Sequence, residues 1–348
     1  MKKLISLILI LTFCLFTLTA CSVPGADGKN GLSAFERALA NGFSGTEDLW
    51  LSSLRGKDGK LGEAPEIKKG NWVIDGKDTG VSVAGDIITV ETTKNAPLAG
   101  KTIVNFGDSI TGKGTGEGTD ISTYLAQLTG AKVYNCGFGG CRMSTYMPHE
   151  QWDAFSMYRI AEAVATGDFS YQEASFSFDD GYSAFPAYFR NHYNTLISID
   201  FNEVDIITIA YGTNDYTASR GETYSDDPYS SGTFQGALRY SIEQIQKAYP
   251  HINIYLCTPI YRAWLKSGTA EVEIDSEERP NSKGGKLTDY VRYVKEIGEE
   301  YHLPVIDNYY ELGINRQNHT NYFPVGDRTH PNPDGRYLIA KHMAEEFF

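Results

Sequence analysis

From Lys101 onward, short apolar runs alternate with stretches whose apolar residues recur every three or four positions. Thr102-Ile103-Val104-Asn105-Phe106 reads as a buried strand, Ser122 to Leu128 as a helix, and Lys132-Val133-Tyr134 as the start of a second strand. Val204 to Ala210, apolar except for Asp205 and Thr208, predicts a third strand. Phe234 to Tyr249 puts Leu238, Ile242 and Ile245 on one helical face. Ile252 to Leu256, Leu287 to Tyr301, Pro304-Val305-Ile306 and Pro333 to Phe348 continue the series as strand, helix, strand and helix. Five strands separated by helices predict an α/β fold with a parallel sheet covered on both faces. In such sheets ligands bind beyond the carboxyl ends of the strands.

Residues 21–100 follow a different pattern. Gly25-Ala26-Asp27-Gly28-Lys29-Asn30-Gly31 and Gly56-Lys57-Asp58-Gly59 punctuate two short helical patterns. One carries the capping box Ser33-x-x-Glu36 with Phe35 and Leu39; the other follows Thr46 and carries Leu49, Trp50, Leu51 and Leu54. Asn71-Trp72-Val73-Ile74-Asp75-Gly76 and Thr89-Val90 predict short strands with glycine turns. The segment resembles the collagen-like and small modular spacers of bacterial and phage surface proteins. It is expected to be a Gly-rich spacer or accessory module, with Trp50 and Trp72 filling small cores or meeting carbohydrate.

The first twenty residues set the compartment. Lys2 and Lys3 precede an apolar run, Leu4 to Phe16, that is too short for a comfortable membrane span. Leu18-Thr19-Ala20-Cys21 resembles the lipobox of bacterial lipoproteins, which implies a signal peptide over residues 1–20 and lipidation of Cys21. A simple secretory signal is the plainer alternative. Either reading places the protein outside the cytoplasm, and the first has it anchored at the cell surface through Cys21.

Composition narrows the partners. The formal charge is −13, and loss of Lys2 and Lys3 would leave the rest more acidic still. Such a surface repels nucleic acid and anionic headgroups, so any membrane attachment must come through the N-terminal lipid. Hydrophobic residues make up 41 %, which argues for a packed globular chain. Of the 5 cysteines, Cys14 falls in the leader and Cys21 in the lipobox. Cys136 and Cys141 could form a disulfide or stay as buried thiols, and Cys257 stands apart. No metal-type pairing of close cysteines and histidines occurs, so no metal and no cofactor is expected.

Four short blocks carry candidate chemistry. Gly107-Asp108-Ser109-Ile110 follows the first predicted strand, where a glycine permits a sharp turn and a serine hydroxyl is presented at a helix start. Taken alone it is an ordinary helix cap. Asn135-Cys136-Gly137-Phe138-Gly139-Gly140 follows the second strand, and its glycines let backbone N–H groups approach a ligand. Gly212-Thr213-Asn214-Asp215 follows the third and offers an uncharged amide donor. Asp327-Arg328-Thr329-His330-Pro331 precedes the last helix, and its spacing lets a carboxylate reach the imidazole of the same turn. His149, His192, His251, His302, His319 and His342 have no such context and read as surface or packing residues.

Together, and in this order, the blocks resemble the SGNH (GDSL-type) serine hydrolases, from about residue 101 to the end of the chain. Ile110 stands where the family pattern has Leu, and the stretch at about 142–200 is longer than in compact members. The resemblance implies a flavodoxin-like three-layer α/β/α sandwich with a five-stranded parallel sheet. It implies a catalytic triad of Ser109, His330 and Asp327, and an oxyanion hole from the N–H groups of Ser109 and Gly140 with the Asn214 amide. It also implies ester hydrolysis without a metal.

The long stretch is crowded with aromatics, among them Tyr146, Trp152, Phe155, Tyr182, Phe185, Tyr188 and Phe189, and Asp153 to Ala165 looks helical. It is expected to roof the site, with most of its rings forming a core of their own. The expected substrate is an acylated saccharide or other small ester, with acetyl or similar groups removed from extracellular polysaccharide or glycopeptide. An acyltransferase using the same triad and a non-catalytic surface adhesin are the rival expectations.

Overall fold

The computed structural model describes residues 66–68, 71–74, 77–82, 96–179, 181–220, 225–266, 269 and 271–347. Contacts divide the chain into two units, Met1–Ile87 and Ile88–Phe348. In the first, strands β1 (Glu66–Lys68), β2 (Asn71–Ile74) and β3 (Lys77–Ser82) form an antiparallel sheet in the order β1-β2-β3. The expected strand at Asn71–Ile74 is present. The helical patterns at Ser33 to Leu39 and Thr46 to Leu54, the strand at Thr89-Val90, and Cys21 lie outside the described residues.

The second unit is built on a sheet of five strands. They are β4 (Thr102–Gly107), β5 (Lys132–Gly137), β6 (Ile206–Ala210), β7 (Asn253–Cys257) and β10 (Val305–Ile306), and every neighbouring pair is parallel. Across the sheet they run β5-β4-β6-β7-β10. The chain therefore winds outward from β4 to one side and then from β6 to the other, the flavodoxin-like order, whose switch point lies between the first and third strands. A short antiparallel hairpin, β8 (Ala263–Leu265) with β9 (Val272–Asp275), follows β7.

Pleating sorts the strand side chains onto two faces. Val104, Phe106, Ile207 and Ile209 enter one core, and Ile103 and Ile206 the other. Two polar residues inside the sheet satisfy each other: Thr208 Oγ1 donates to Asn105 Oδ1 at 2.9 Å, and Asn105 Nδ2 donates to Ser122 Oγ at 2.9 Å. This is why a strand containing Thr208 can still be central.

Ten helices are described, of which α1 (Ser109–Gly112), α3 (Glu150–Asp153), α5 (Ser170–Ser175) and α7 (Thr213–Thr217) are short. The first core is covered by α4 (Met157–Thr166), α6 (Phe189–Ile197), α8 (Phe234–Ala248) and α9 (Leu287–Tyr301). The second is covered by α2 (Ile121–Thr129) and α10 (Pro333–Glu345). The result is the three-layer α/β/α sandwich. Local chemistry sets the helix ends. The Asp120 side chain accepts from Thr123 N, Gly130 closes α2 at φ +72°, and Asn332 caps α10 ahead of Pro333.

Two details depart from the expected pattern. The helix expected over Asp153 to Ala165 is two helices, because Asp153 turns inward to accept from Tyr146 N, Thr145 Oγ1 and Tyr158 Oη. The chain then extends at Ser156 before α4 begins. Residues 96–100, which the glycine punctuation groups with the spacer, join the second unit: Leu98 N donates to Thr129 O at 2.9 Å and Leu98 packs on the second core.

Candidate active site

The site forms where β4, β5 and β6 end. Gly107 closes β4 with no room for a side chain, since a Cβ there would lie 2.0 Å from Thr111 Oγ1. Asp108 then caps α1: its Oδ1 accepts from Ile110 N at 2.9 Å, which fixes the backbone that presents Ser109. Ser109 Oγ lies 2.8 Å from His330 Nε2, across 221 positions of chain.

His330 is held by its own turn. Its Nδ1 lies 2.8 Å from Asp327 Oδ2, while Asp327 Oδ1 accepts from Thr329 N at 2.9 Å and His330 N at 3.0 Å. An ionised Asp327 only accepts, so Nδ1 carries the proton and Nε2 is left to accept the Ser109 hydroxyl. Burial acts to raise the Asp327 pKa. The two backbone N–H groups and the imidazole outweigh it, and the carboxyl sits well below its ordinary range. Burial also lowers the His330 pKa, with Lys113 and Arg262 adding to that effect and Asp327 opposing it.

The loop after β5 lies against this pair. Gly140 has φ +81°, and a Cβ there would meet Trp152 Cζ3 at 2.9 Å. Gly139 is as confined, because a Cβ would lie 2.3 Å from Tyr188 Oη and 3.2 Å from Ser109 Cβ. Gly139 N donates to Tyr188 Oη at 2.9 Å. Among the described residues, the backbone N–H groups of Ser109 and Gly140 have no hydrogen-bond partner.

The loop after β6 supplies the third face. Gly212, at φ +133°, admits a turn that other residues resist, and α7 begins at Thr213. Asn214 Nδ2 donates to Cys141 O at 2.9 Å and, more weakly, to Asp108 Oδ2 at 3.3 Å. Asp215 is fully buried and accepts from Met143 N, Ser144 N and Ser144 Oγ. It therefore ties α7 to the segment just after Gly140, which explains why the third block ends in a carboxylate. Burial pushes the Asp108 carboxyl up to about 7 and raises Asp215 as well.

The structure thus brings Ser109, His330, Asp327, Gly140 and Asn214 to one place. Cys136, Cys141 and Cys257 are buried free thiols, and burial raises the pKa of each. His192, read as a packing residue, is buried with Nδ1 2.7 Å from Gly137 O. The sequence offers Asp108 as a cap and Tyr188 as one ring of the roofing stretch but not their contacts with Asn214 and Gly139, and it passes over Lys113 and Arg262. Lys113 was the most findable, since it lies four residues after Ser109 at the end of α1. Among the described residues, one group could hold a metal ion, Glu311, His342 and Glu346, and none of these belongs to the Ser109 cluster.

Several known proteins are similar to this chain. The solved structures it resembles include an aryl esterase of M. smegmatis, an acetyl xylan esterase and a carbohydrate acetylesterase from Sinorhizobium meliloti. Identities are 14 %, 18 % and 13 %, and TM-scores 0.45, 0.40 and 0.43. Each alignment covers 71 % of this chain, and 98 %, 100 % and 98 % of the respective relatives. The search of curated proteins gives no match. Residues 106–338 match the GDSL-like lipase/acylhydrolase family along a span that includes Ser109, Gly140, Asn214, Asp327 and His330, and the chain belongs to that family.

Proposed function

We propose that this chain is a serine esterase that removes acetyl or other small acyl groups from extracellular polysaccharide or glycopeptide. The observation that carries the reading is the continuous chain from Ser109 Oγ through His330 to Asp327, with both contacts at 2.8 Å. Ser109 Oγ attacks the ester carbonyl while His330 Nε2 takes its proton, and Asp327 stabilises the imidazolium. The tetrahedral oxyanion receives the N–H groups of Ser109 and Gly140 and the Asn214 amide. Of the two bonds Asn214 makes, the 3.3 Å contact with Asp108 is the weaker and is the one an oxyanion would replace. Collapse returns the proton from His330 to the leaving alcohol. Water then repeats the sequence and frees the acid.

A small acyl group suits the confinement around Ser109, where a Cβ on Gly139 would lie 2.3 Å from Tyr188 Oη and one on Gly140 would lie 2.9 Å from the Trp152 ring. A saccharide suits the rim. Tyr182 is 46 % exposed, stacks on His149 at 4.1 Å and meets Trp152 edge-on. Trp152 in turn borders Gly140.

The N-terminal pattern adds a location to this reading: a surface lipoprotein held by lipid on Cys21, acting outside the cytoplasm. The enzyme reading is tested by release of acetate from a panel of acetylated cell-wall and plant glycans in water. Appearance of the acyl group on an added acceptor, in place of free acetate, would favour the acyltransferase. No turnover of any ester would favour the adhesin.

A further inference from the structure

Arg262 and Arg279 form a cationic pair beside this site that the triad chemistry leaves unused. Both guanidinium carbons lie 4.6 Å from the centroid of the Trp264 ring. Among the described residues, neither guanidinium forms an ion pair, although ten other lysine and arginine side chains do. Asp108 and Asp327 act on Arg262 only from beyond ion-pair distance, and in a chain with a formal charge of −13 two neighbouring guanidiniums with no carboxylate in contact are out of character.

Their position relates them to the reaction. Arg262 Nη1 donates to Thr213 Oγ1 at 2.8 Å, and Thr213 directly precedes Asn214. The next residue, Ala263, donates its N–H to Arg328 O, in the turn between Asp327 and His330. Arg262 is thus fixed between the loop that carries the amide donor and the loop that carries the base. Its Nε is buried and has no partner, which leaves hydrogen-bonding capacity unspent in a poorly solvated place. Arg279 is fixed through its backbone, whose carbonyl accepts from Tyr216 Oη at 3.0 Å. Burial holds the Arg262 pKa below its usual value and Arg279 acts in the same direction, while Tyr216, Asp108 and Asp327 oppose them.

A guanidinium held in place with no carboxylate in ion-pair contact is a ready receptor for a planar anion, and carboxylate matches its geometry best. We propose that Arg262, assisted by Arg279, binds a carboxylate on the substrate, so that the preferred ester carries a negative charge near the bond that is cut. This rests on the esterase reading. The carboxylate could sit on the alcohol, as in an acylated uronic acid, or on the acyl group, as in a dicarboxylic half-ester. A neutral glycan would leave the pair without a function in recognition.

The test compares matched esters. On the alcohol side, 4-acetoxybenzoate is set against its methyl ester; on the acyl side, p-nitrophenyl hydrogen succinate against p-nitrophenyl acetate. The proposal expects one carboxylate ester to exceed its neutral partner in kcat/KM by about tenfold or more at low salt. The pair that shows this preference identifies the carboxylate's side. Arg262→Met should abolish the preference, read as the ratio of kcat/KM within each pair so that any effect on the shared rate through His330 or Thr213 cancels, and Arg279→Met should reduce it. Arg279→Met keeps the test usable if Arg262→Met fails to fold. Absence of a preference in the parent protein, or equal losses on both members of each pair in folded variants, would overturn the proposal. Calorimetric binding of the same esters to Ser109→Ala separates the two readings. Charge-selective binding that needs Arg262, with no turnover by the parent protein, would retain the anion site and remove the esterase. Turnover without charge selectivity would do the reverse.

Discussion

Lys113 Nζ lies 3.2 Å from Asp327 Oδ2, the same carboxylate oxygen that meets His330 Nδ1. One oxygen therefore faces both an ammonium group and the imidazole. Burial is the main reason that the His330 pKa falls below its ordinary 6.5, and Lys113 and Arg262 push it in the same direction. Only neutral His330 can take the Ser109 proton, so kcat/KM should rise with pH through a His330 pKa below 6.5 and then stay level.

Lys113→Met removes a cation that disfavours protonated His330. The His330 pKa should rise, and the acid limb of the kcat/KM profile should move to higher pH. Lys113 is 46 % exposed, so the movement should be damped by solvent and should shrink with added salt. The profile of the variant, measured against the parent with a soluble ester at two salt concentrations, checks this. A limb that stays in place, or moves to lower pH, contradicts the coupling.

Asn214→Ala removes one of three donors to the oxyanion. The loss should be about 2.7–4 kcal/mol of transition-state stabilisation, or roughly 10²–10³ in kcat, with KM little changed. The bond to Cys141 O disappears as well, so a small fall in Tm should accompany it. Steady-state kinetics and thermal unfolding on the same sample check both, and a loss in kcat below about fivefold would remove Asn214 from the oxyanion hole.

Much of this site was legible in the sequence, and the rest was hidden for a physical reason. The helix over Leu287 to Tyr301 and the strand at Thr102 could be read because apolar spacing reports which face is buried. The triad residues could be read because each sits in a short block whose local geometry already constrains it. Tyr188 could not: its hydroxyl meets Gly139 N only because α6 folds back against the loop after β5. Arg262 was equally invisible, since its partners Thr213 and Trp264 are brought together by the tertiary fold and the β8–β9 hairpin. The break after Asp153 depends on acceptor bonds from Thr145, Tyr146 and Tyr158, which no helical periodicity records.

A chain shortened to begin at Ile88 should fold and hydrolyse a small soluble ester at close to the full-length rate. It keeps Leu98, whose N–H and side chain belong to the second unit. Activity on an insoluble polymer could still fall, because the removed part could raise the effective concentration at the surface. A loss of more than about tenfold on the small ester, roughly 1.4 kcal/mol of barrier, would show that residues 1–87 help to build the site.

Cys21→Ser should block lipidation in the producing cell. The variant should remain as uncleaved precursor or appear without lipid, and should leave the detergent phase on phase separation. A variant that is processed and still partitions into detergent would contradict the lipobox reading.

Hydrolysis of p-nitrophenyl acetate by Ser109→Ala, His330→Ala and the double variant tests whether Ser109 is the nucleophile. Ser109 contributes a single hydroxyl at the start of a four-residue helix, so its removal should leave Tm nearly unchanged. Each single variant should lose essentially all turnover, and the double variant should be little worse than either, because the residues act as one unit. Turnover by Ser109→Ala near the parent's rate would contradict the mechanism.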